Sequence, residues 1–132
     1  MIYLISDTHF FHAKIGEYCS RPRGWQDKII DNWCRVVRPL DTIIHLGDLG
    51  MGPPSRIKDI VSRLPGILVV VKGNHDRSRS WLYRCGADSV LSGHGSKLEI
   101  DDYEYPATIV SATIHKDPRH NVGDVVVSHK PL

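Results

Sequence analysis

The chain has 132 residues, 41% of them hydrophobic and 24% charged, which fits one soluble globular domain and leaves little room for a second core. The formal net charge is only +2, so it does not indicate a nucleic-acid-binding protein, in which lysine and arginine concentrate in a patch or a tail. Three widely spaced cysteines without a Cys-x-x-Cys pair exclude a disulfide framework and a thiolate zinc site. Such a set is typical of a reducing cytosol, and we expect a single cytoplasmic domain over residues 1–132.

Three short apolar runs in the first half of the chain predict strands. Each is rich in β-branched residues and bounded by polar or glycine residues, as expected for strands of a sheet covered on both faces. The runs are Ile2–Ile5, Thr42–Leu46 and Ile67–Val71. The first run lacks a basic flank and soon meets Asp7, so it is too short for a signal peptide or a membrane span, and we expect no membrane association.

Two amphipathic patterns between these runs predict helices. Apolar residues recur at helical spacing over residues 25–37, and a proline follows as a stop signal. A second pattern begins at Pro54 and ends at Pro65-Gly66. The alternation of strand and helix predicts a βαβαβ arrangement with a parallel sheet. The same periodicity places Trp25 and Trp33 in the core in preference to a substrate platform.

The second half of the chain carries shorter strand patterns. We predict strands at residues 89–91, 97–100 and 108–114, with turns at 93–95 and 101–102. A last apolar run, Val125–Val127, is followed directly by Ser128 and His129. Like the first three runs, this run is therefore followed by polar side chains.

Polar side chains follow four of the predicted strands at the point where each strand ends. They are Asp7, His9, Asp48, Asn74, His75, Asp76 and His129. Because ligands of α/β proteins bind at the carboxyl ends of the strands, these side chains could meet at one edge. Taken singly, each signal is weak, since a lone histidine at a strand end is more often satisfied by hydrogen bonding than by a metal. It is the ordered set that indicates a site.

Four motifs in this order resemble those of the calcineurin-like metallophosphoesterase superfamily. They are Asp7-Thr8-His9, Gly47-Asp48, Gly73-Asn74-His75-Asp76 and Ser128-His129, each after an apolar run. The start at residues 5–10 and the closing segment at residues 128–131 look most like a small bacterial and phage branch. The resemblance implies an α/β fold, a metallophosphoesterase-type β-sandwich flanked by helices in α/β/β/α layers.

The resemblance also implies a dinuclear metal centre. Asp7 and His9 would hold the first ion, and Asp48 would bridge both ions. Asn74 and His129 would hold the second ion. Mixed carboxylate, imidazole and amide ligands suit manganese, with iron, zinc or nickel as alternatives. Two such ions would activate a shared water to a hydroxide that attacks phosphorus in line with the leaving oxygen.

Two further residues receive catalytic roles from the same resemblance. His75 would donate a proton to the leaving alkoxide, and Asp76 would hold the His75 ring in the useful tautomer. The residues alone leave a second interpretation of Asp76 open, the N-cap of a short helix over residues 78–84, because aspartate is a favoured cap residue. We assign no metal to the remaining histidines, which are His12, His45, His94, His115 and His120.

The chain departs from the family pattern near its end. Family members carry a Gly-His-x-His motif downstream of the Ser-His-x-Pro segment, with one histidine for each metal, and none follows His129 here. Gly93-His94-Gly95 offers only half of that motif and lies upstream. We therefore expect a C-terminally incomplete fold, from truncation or for completion by a partner, with weakened metal sites.

The function expected is metal-dependent hydrolysis of phosphate esters. Phosphodiesters are favoured because Gly47-Asp48 lacks the Asp-Arg-Gly extension that protein phosphatases of the superfamily carry. Nucleotides, nucleic-acid ends and small phosphodiesters are the candidate substrates. The alternative is a non-catalytic scaffold or protein-binding domain of the same fold, which the absent histidines favour and the retention of His75 and Asp48 disfavours. A nucleic-acid-binding module without catalysis is disfavoured by the low net charge.

Overall fold

A four-stranded parallel sheet forms the centre of the fold. The computed structural model describes residues 1–73 and 75–91, and beyond them the backbone of residues 96–100, 103–107, 112–114 and 125–127. The strands of the sheet are β1 (Ile2–Ile5), β2 (Thr42–His45), β3 (Ile67–Val71) and β4 (Ser89–Leu91), hydrogen-bonded in that order. The predicted parallel sheet is confirmed, and the strand at residues 89–91 joins it as a fourth parallel member.

The register of the sheet brings the ends of the first strands to one level. Ile5 lies beside His45, and His45 lies beside Val70. Parallel strands that end together send their following loops to the same edge. The loops after β1, β2 and β3 carry the polar motifs of the sequence, so this register positions the candidate site.

Four helices in the described part of the chain connect the strands of the parallel sheet. They are α1 (Ile15–Tyr18), α2 (Trp25–Val36), α3 (Pro54–Val61) and α4 (Arg79–Arg84). The two predicted helices are confirmed as α2 and α3, and α3 has a proline in its first turn, where the missing N–H costs nothing. None of the helices in the described part of the chain is long and apolar enough to cross a membrane.

The N-cap of α4 is Ser78, whose side chain accepts a hydrogen bond from the Trp81 amide at 3.1 Å. This bond satisfies one of the free N–H groups at the helix start. The interpretation of Asp76 as the cap is therefore wrong, because the helix begins at Arg79 and Asp76 lies too far upstream of it.

The core lies between the sheet and helices α2, α3 and α4. Ile57 and Leu82 are completely buried, and Trp33 packs with them while its indole N–H donates to the Pro65 carbonyl at 2.9 Å. Trp25, by contrast, is half-buried and lies outside this cluster, so its prediction as a core residue is wrong. It is the first residue of α2, and periodicity assigns a helix face without saying how far along the helix the packing extends.

Four strands of the second half pair antiparallel. β5 (Ser96–Ile100) pairs with β6 (Tyr103–Ala107), and β7 (Ala112–Ile114) pairs with β8 (Val125–Val127). The sequence analysis does not predict β6, because a proline such as Pro106 argues against a strand in its segment. β7 is the last part of the strand predicted at 108–114, and the first part of that strand lies outside the described residues. The predicted turns at 93–95 and 101–102 also lie outside them. The α/β fold class is confirmed.

Asp41 joins the starts of the two strands that lead to the site. Its buried carboxylate accepts a hydrogen bond from the Met1 ammonium group at 2.6 Å and another from the Arg38 amide at 2.8 Å. The bond from the ammonium group, followed by that from the Arg38 amide, lowers the pKa of Asp41. The charged form is therefore the one that the fold stabilises.

We predict that Asp41→Asn lowers the thermal midpoint at pH 7. Because the folded pKa is depressed, the contribution of Asp41 is fully present above the pKa of the unfolded chain, about 4, and is lost as pH falls through the lower folded value. The difference between variant and wild type should therefore shrink below about pH 4. Thermal unfolding followed by circular dichroism between pH 2.5 and pH 7 measures this, with the exposed Asp31→Asn as the control. A difference that is constant over this range would contradict the assignment.

Candidate metal centre

The loops after β1 and β2 bring two carboxylates and one imidazole together. His9 Nε2 lies 3.4 Å from Asp7 Oδ1 and 3.7 Å from Asp48 Oδ2. One donor atom from each residue lies within 4.8 Å of the other two. Ligand atoms held at about 2.0–2.2 Å from one ion lie roughly 3–4 Å apart, so this group has the dimensions of a metal site.

Burial keeps the imidazole of this group in the form that binds a metal. Desolvation lowers the pKa of His9, although the nearby carboxylates of Asp48 and Asp7 raise it in part. A lowered pKa leaves the ring neutral at pH 7, and only the neutral ring has a lone pair to offer a metal. Oxygen and imidazole donors together suit borderline divalent cations, so the three residues fit such an ion.

The three residues stand on strained backbone. The φ angle is +53° at Asp7, +49° at His9 and +57° at Asp48, all in the left-handed region that side chains other than glycine rarely adopt. Aspartate and histidine tolerate this region better than most residues. Such strain persists only where surrounding contacts over-determine the conformation, and it concentrates at functional sites.

Backbone hydrogen bonds join the two loops side by side. The donors are the amides of Asp7, His9 and Phe10, and the acceptors are the carbonyls of Gly47, Asp48 and Leu49, at 3.1, 3.0 and 3.0 Å. The carbonyl groups of the second loop are thereby satisfied by the first loop. Its amide groups need acceptors from elsewhere, since buried N–H groups are almost always paired.

The carboxylate of Asp76 supplies most of those acceptors. It is 3% exposed, and its Oδ2 accepts from the amides of Asp48 and Gly73, each at 2.8 Å. Its Oδ1 accepts from the Leu49 amide at 3.0 Å. Asp76 therefore stands in a loop-holding position, and the ring-orienting role that the resemblance implied stays a prediction.

A buried histidine holds the remaining amide of the second loop. His45 Nδ1 accepts from the Gly47 amide at 3.1 Å, which places the ring proton on Nε2. His45 Nε2 lies 2.9 Å from the Thr8 hydroxyl, which in turn donates to the Leu49 carbonyl at 2.8 Å. His45 is thus part of the support beneath the site and not among its metal donors.

Close packing at Gly73 explains why the third motif begins with glycine. A Cβ atom at this position would lie 2.6 Å from the Asp48 amide nitrogen and would also collide with Asp48 Oδ1. No side chain fits there unless Asp48 moves. The Gly-Asn-His-Asp segment can approach the second loop closely only because of this glycine.

The His75 side chain lies over the open side of the cluster. Its amide donates to Asp48 Oδ1 at 2.9 Å, and its Nε2 lies 3.9 Å from Asp48 Oδ2. The side chain is 50% exposed, and the ring centroid lies 5.7 Å from that of His9. The imidazole is therefore free to meet a ligand that approaches the carboxylates from solvent.

Comparison with known proteins places this arrangement in a family. The sequence matches the calcineurin-like phosphoesterase superfamily domain over residues 1–129. The chain belongs to this superfamily. The predicted resemblance is therefore confirmed, and divalent metal binding is typical of the superfamily.

Two relatives of the phosphoesterase chain have no described function. Over 82 residues it is 42% identical to an uncharacterized protein of Methanocaldococcus jannaschii, which covers 58% of this chain and 47% of the relative. The crystal structure of a protein of unknown function from Aquifex aeolicus matches with a TM-score of 0.64 at 30% identity, over 89% of this chain and 63% of that chain. The phosphoesterase chain thus spans about half the length of its curated relative.

Two predicted metal ligands, Asn74 and His129, lie outside the described residues. Of the seven predicted site residues, the structure thus brings together Asp7, His9, Asp48 and His75, and it places Asp76 beneath them. The proposed second metal ion of the phosphoesterase centre depends on Asn74 and His129. It remains a prediction from the sequence.

Two further residues lie near the cluster: His12, a histidine to which the sequence assigns no metal, and Arg21, which no sequence pattern identifies. His12 Nδ1 lies 3.3 Å from His9 Nδ1, on the side of the ring opposite the carboxylates. Arg21 donates to the backbone carbonyls of Asp7 at 2.6 Å and Thr8 at 3.2 Å. Neither stands in one of the four motifs, and only the path of the loop after β1 brings them to the site.

We predict that Asp76→Asn lowers the free energy of unfolding by about 2–4 kcal/mol, because an amide nitrogen would replace one acceptor oxygen and face a buried N–H. Denaturant unfolding followed by circular dichroism measures the change. Asp59→Asn, an exposed position on α3, is the matched control and should change stability by less than about 0.5 kcal/mol. Equal stability of the Asp76 and Asp59 variants would contradict the loop-holding role.

Proposed function

We propose that the chain is a metal-dependent hydrolase of phosphate esters with a dinuclear metal centre, and that phosphodiesters are its preferred substrates. The observation that carries the proposal is the cluster of Asp7, His9 and Asp48 with the exposed His75 ring beside it. Superfamily membership supports phosphoester hydrolysis in general. The step to phosphodiesters rests on the Gly47-Asp48 motif, which lacks the extension found in protein phosphatases.

The proposed ligand sets follow the motifs of the superfamily. Asp7 and His9 would hold the first ion, and Asp48 would be shared by both ions. Asn74 and His129 would hold the second ion. Manganese is the preferred ion, with iron, zinc and nickel as alternatives that accept the same donors. When bound, two such ions polarise phosphoryl oxygens and lower the pKa of water toward neutrality.

His75 is proposed to protonate the leaving oxygen. Its exposed ring lies close enough to the Asp48 carboxylate to reach the oxygen of an ester positioned above it. Asp76 supports this role indirectly. Its carboxylate accepts from the Asp48 amide, and Asp48 in turn accepts from the His75 amide. His75 and Asp76 thus remain a functional pair, linked through the Asp48 loop.

The proposed substrates are nucleotides, nucleic-acid ends or small phosphodiesters. A cytoplasmic location belongs to the same proposal and is supported by three free cysteines, of which Cys19 and Cys34 are exposed. Exposed thiols of this kind are typical of a reducing compartment.

We predict that Asp48→Asn abolishes hydrolysis of bis(4-nitrophenyl) phosphate in the presence of manganese. Asparagine tolerates the positive φ of this position, so the fold should survive while one negative charge is lost from the shared ligand. The rate of nitrophenolate release and the affinity for manganese in equilibrium dialysis should both fall. Turnover near the wild-type rate with unchanged manganese binding would refute the proposed metal centre.

We predict that His75→Ala slows esters with alkoxide leaving groups by about 10²–10⁴-fold and nitrophenyl esters by less than about 10-fold. A poor leaving group needs a proton in the transition state, whereas nitrophenolate departs without one. Initial rates for a dialkyl and a nitrophenyl phosphodiester, measured on the same preparation, test this. Equal losses on both esters would remove His75 from the proton-donor role.

A further inference from the structure

A cavity of about 340 Å³ lies beside the metal centre, outside the four motifs. Its walls include Phe11, His12, Trp25, Gln26 and Arg56. His12 connects the cavity to the site, because its Nδ1 lies 3.3 Å from His9 Nδ1. A volume in this range is typical of pockets for small ligands. A group bound here would therefore be a neighbour of a phosphate ester held at the cluster.

One wall of the cavity is the ring of Phe11, which is displayed on strained backbone. Its φ angle is +62°, a conformation that is a genuine outlier for a bulky side chain. The amide of Phe11 donates to Gln26 Oε1 at 2.9 Å, so α2 holds the strained residue in place. Strain that is maintained by a dedicated contact is characteristic of functional positions.

A positive charge stands directly on this ring. The guanidinium carbon of Arg56 lies 4.0 Å from the centroid of the Phe11 ring, a cation–π contact that fixes the orientation of the group. Within the described part of the chain, no carboxylate forms an ion pair with Arg56. The exposed guanidinium is thus available to an anionic ligand, for which its planar donors are well suited.

Trp25, whose side chain is an indole, also lines the cavity. The guanidinium carbon of Arg21 lies 4.6 Å from the centroid of this indole, and Arg21 is not among the cavity-lining residues. Because Arg21 also donates to the carbonyls of Asp7 and Thr8, it ties the Trp25 platform to the metal-binding loop.

We propose that this cavity is a subsite for the nucleoside part of a nucleotide ester. The base stacks on the aromatic surfaces of Trp25 and Phe11, and Arg56 binds an anionic phosphate oxygen. Aromatic stacking accepts any base, and a charge beside two aromatic rings matches a nucleotide better than an aliphatic phosphodiester. The subsite rests on the proposed function only in that the ester bond to be cleaved would lie at the neighbouring cluster.

Binding without metal tests the subsite independently of hydrolysis. Adenosine 5′-monophosphate is titrated in the presence of EDTA, with ribose 5-phosphate as the comparison ligand. Trp33 and Trp81 are only 6% and 5% exposed, so saturable quenching of the tryptophan fluorescence reports Trp25. We expect quenching by the nucleotide and at least about 10-fold weaker binding of the sugar phosphate. Equally tight binding of both ligands would overturn the stacking role.

Substitutions then test which residues of the cavity bind the nucleotide. In equilibrium dialysis, Trp25→Leu and Arg56→Gln should each weaken nucleotide binding about 10-fold, whereas Arg63→Gln, an exposed arginine after α3, should leave it unchanged. Circular dichroism and the thermal midpoint establish that each variant is folded. Wild-type affinity in a folded Trp25→Leu variant would overturn the proposal.

Hydrolysis separates the subsite from the proposed function. Thymidine 5′-(4-nitrophenyl) phosphate and methyl 4-nitrophenyl phosphate share one leaving group, and the subsite predicts a kcat/KM ratio of about 10 or more that Trp25→Leu reduces toward 1. Equal kcat/KM values with no nucleotide binding would overturn the subsite while the hydrolase stands. Nucleotide binding with no hydrolysis of either ester would support the subsite and refute the proposed hydrolase.

Discussion

The buried carboxylate of Asp76 is the constraint on which the rest of the site depends. The loop after β2 turns through Gly47 and Asp48, both with positive φ, and its amides need buried acceptors. Asp76 accepts from two of these amides and from that of Gly73. A charged acceptor makes strong bonds to N–H donors and leaves none of them unpaired. With the amides satisfied from below, the carbonyls of the loop are free to bind the loop after β1.

This arrangement explains how strained residues stay in place at a site whose donors fit a divalent cation. Bringing the carboxylates of Asp7 and Asp48 close together is unfavourable, because like charges repel until a metal compensates them. The two loops cannot relax apart, since each is held by the other and the second is held by Asp76 and His45. The core beneath the sheet thus supports the geometry of the metal donors, and a divalent ion would add stability to a site that is already formed.

The cavity beside the cluster, the proposed nucleoside subsite, is lined by the starts of two helices as well as by the loop after β1. Trp25 begins α2, and Arg56 lies in the first turn of α3. Neither belongs to the core, and both line the cavity together with Phe11. Arg21 is one link between this cavity and the cluster, because it contacts both Trp25 and the backbone of Asp7.

The sequence by itself determined the parallel sheet and the meeting of Asp7, His9 and Asp48, because apolar runs mark strands and parallel strands end at one edge. It also identified the superfamily, because the order of the four motifs can be recognised in the sequence without knowledge of any contact. Only the tertiary structure decided that Asp76 faces backbone amides, that Trp25 lies outside the core and that His12 reaches His9. Motifs and periodicity record residue types and helix faces. Hydrogen-bond direction and the packing of a helix end depend instead on where the chain has placed residues from distant loops.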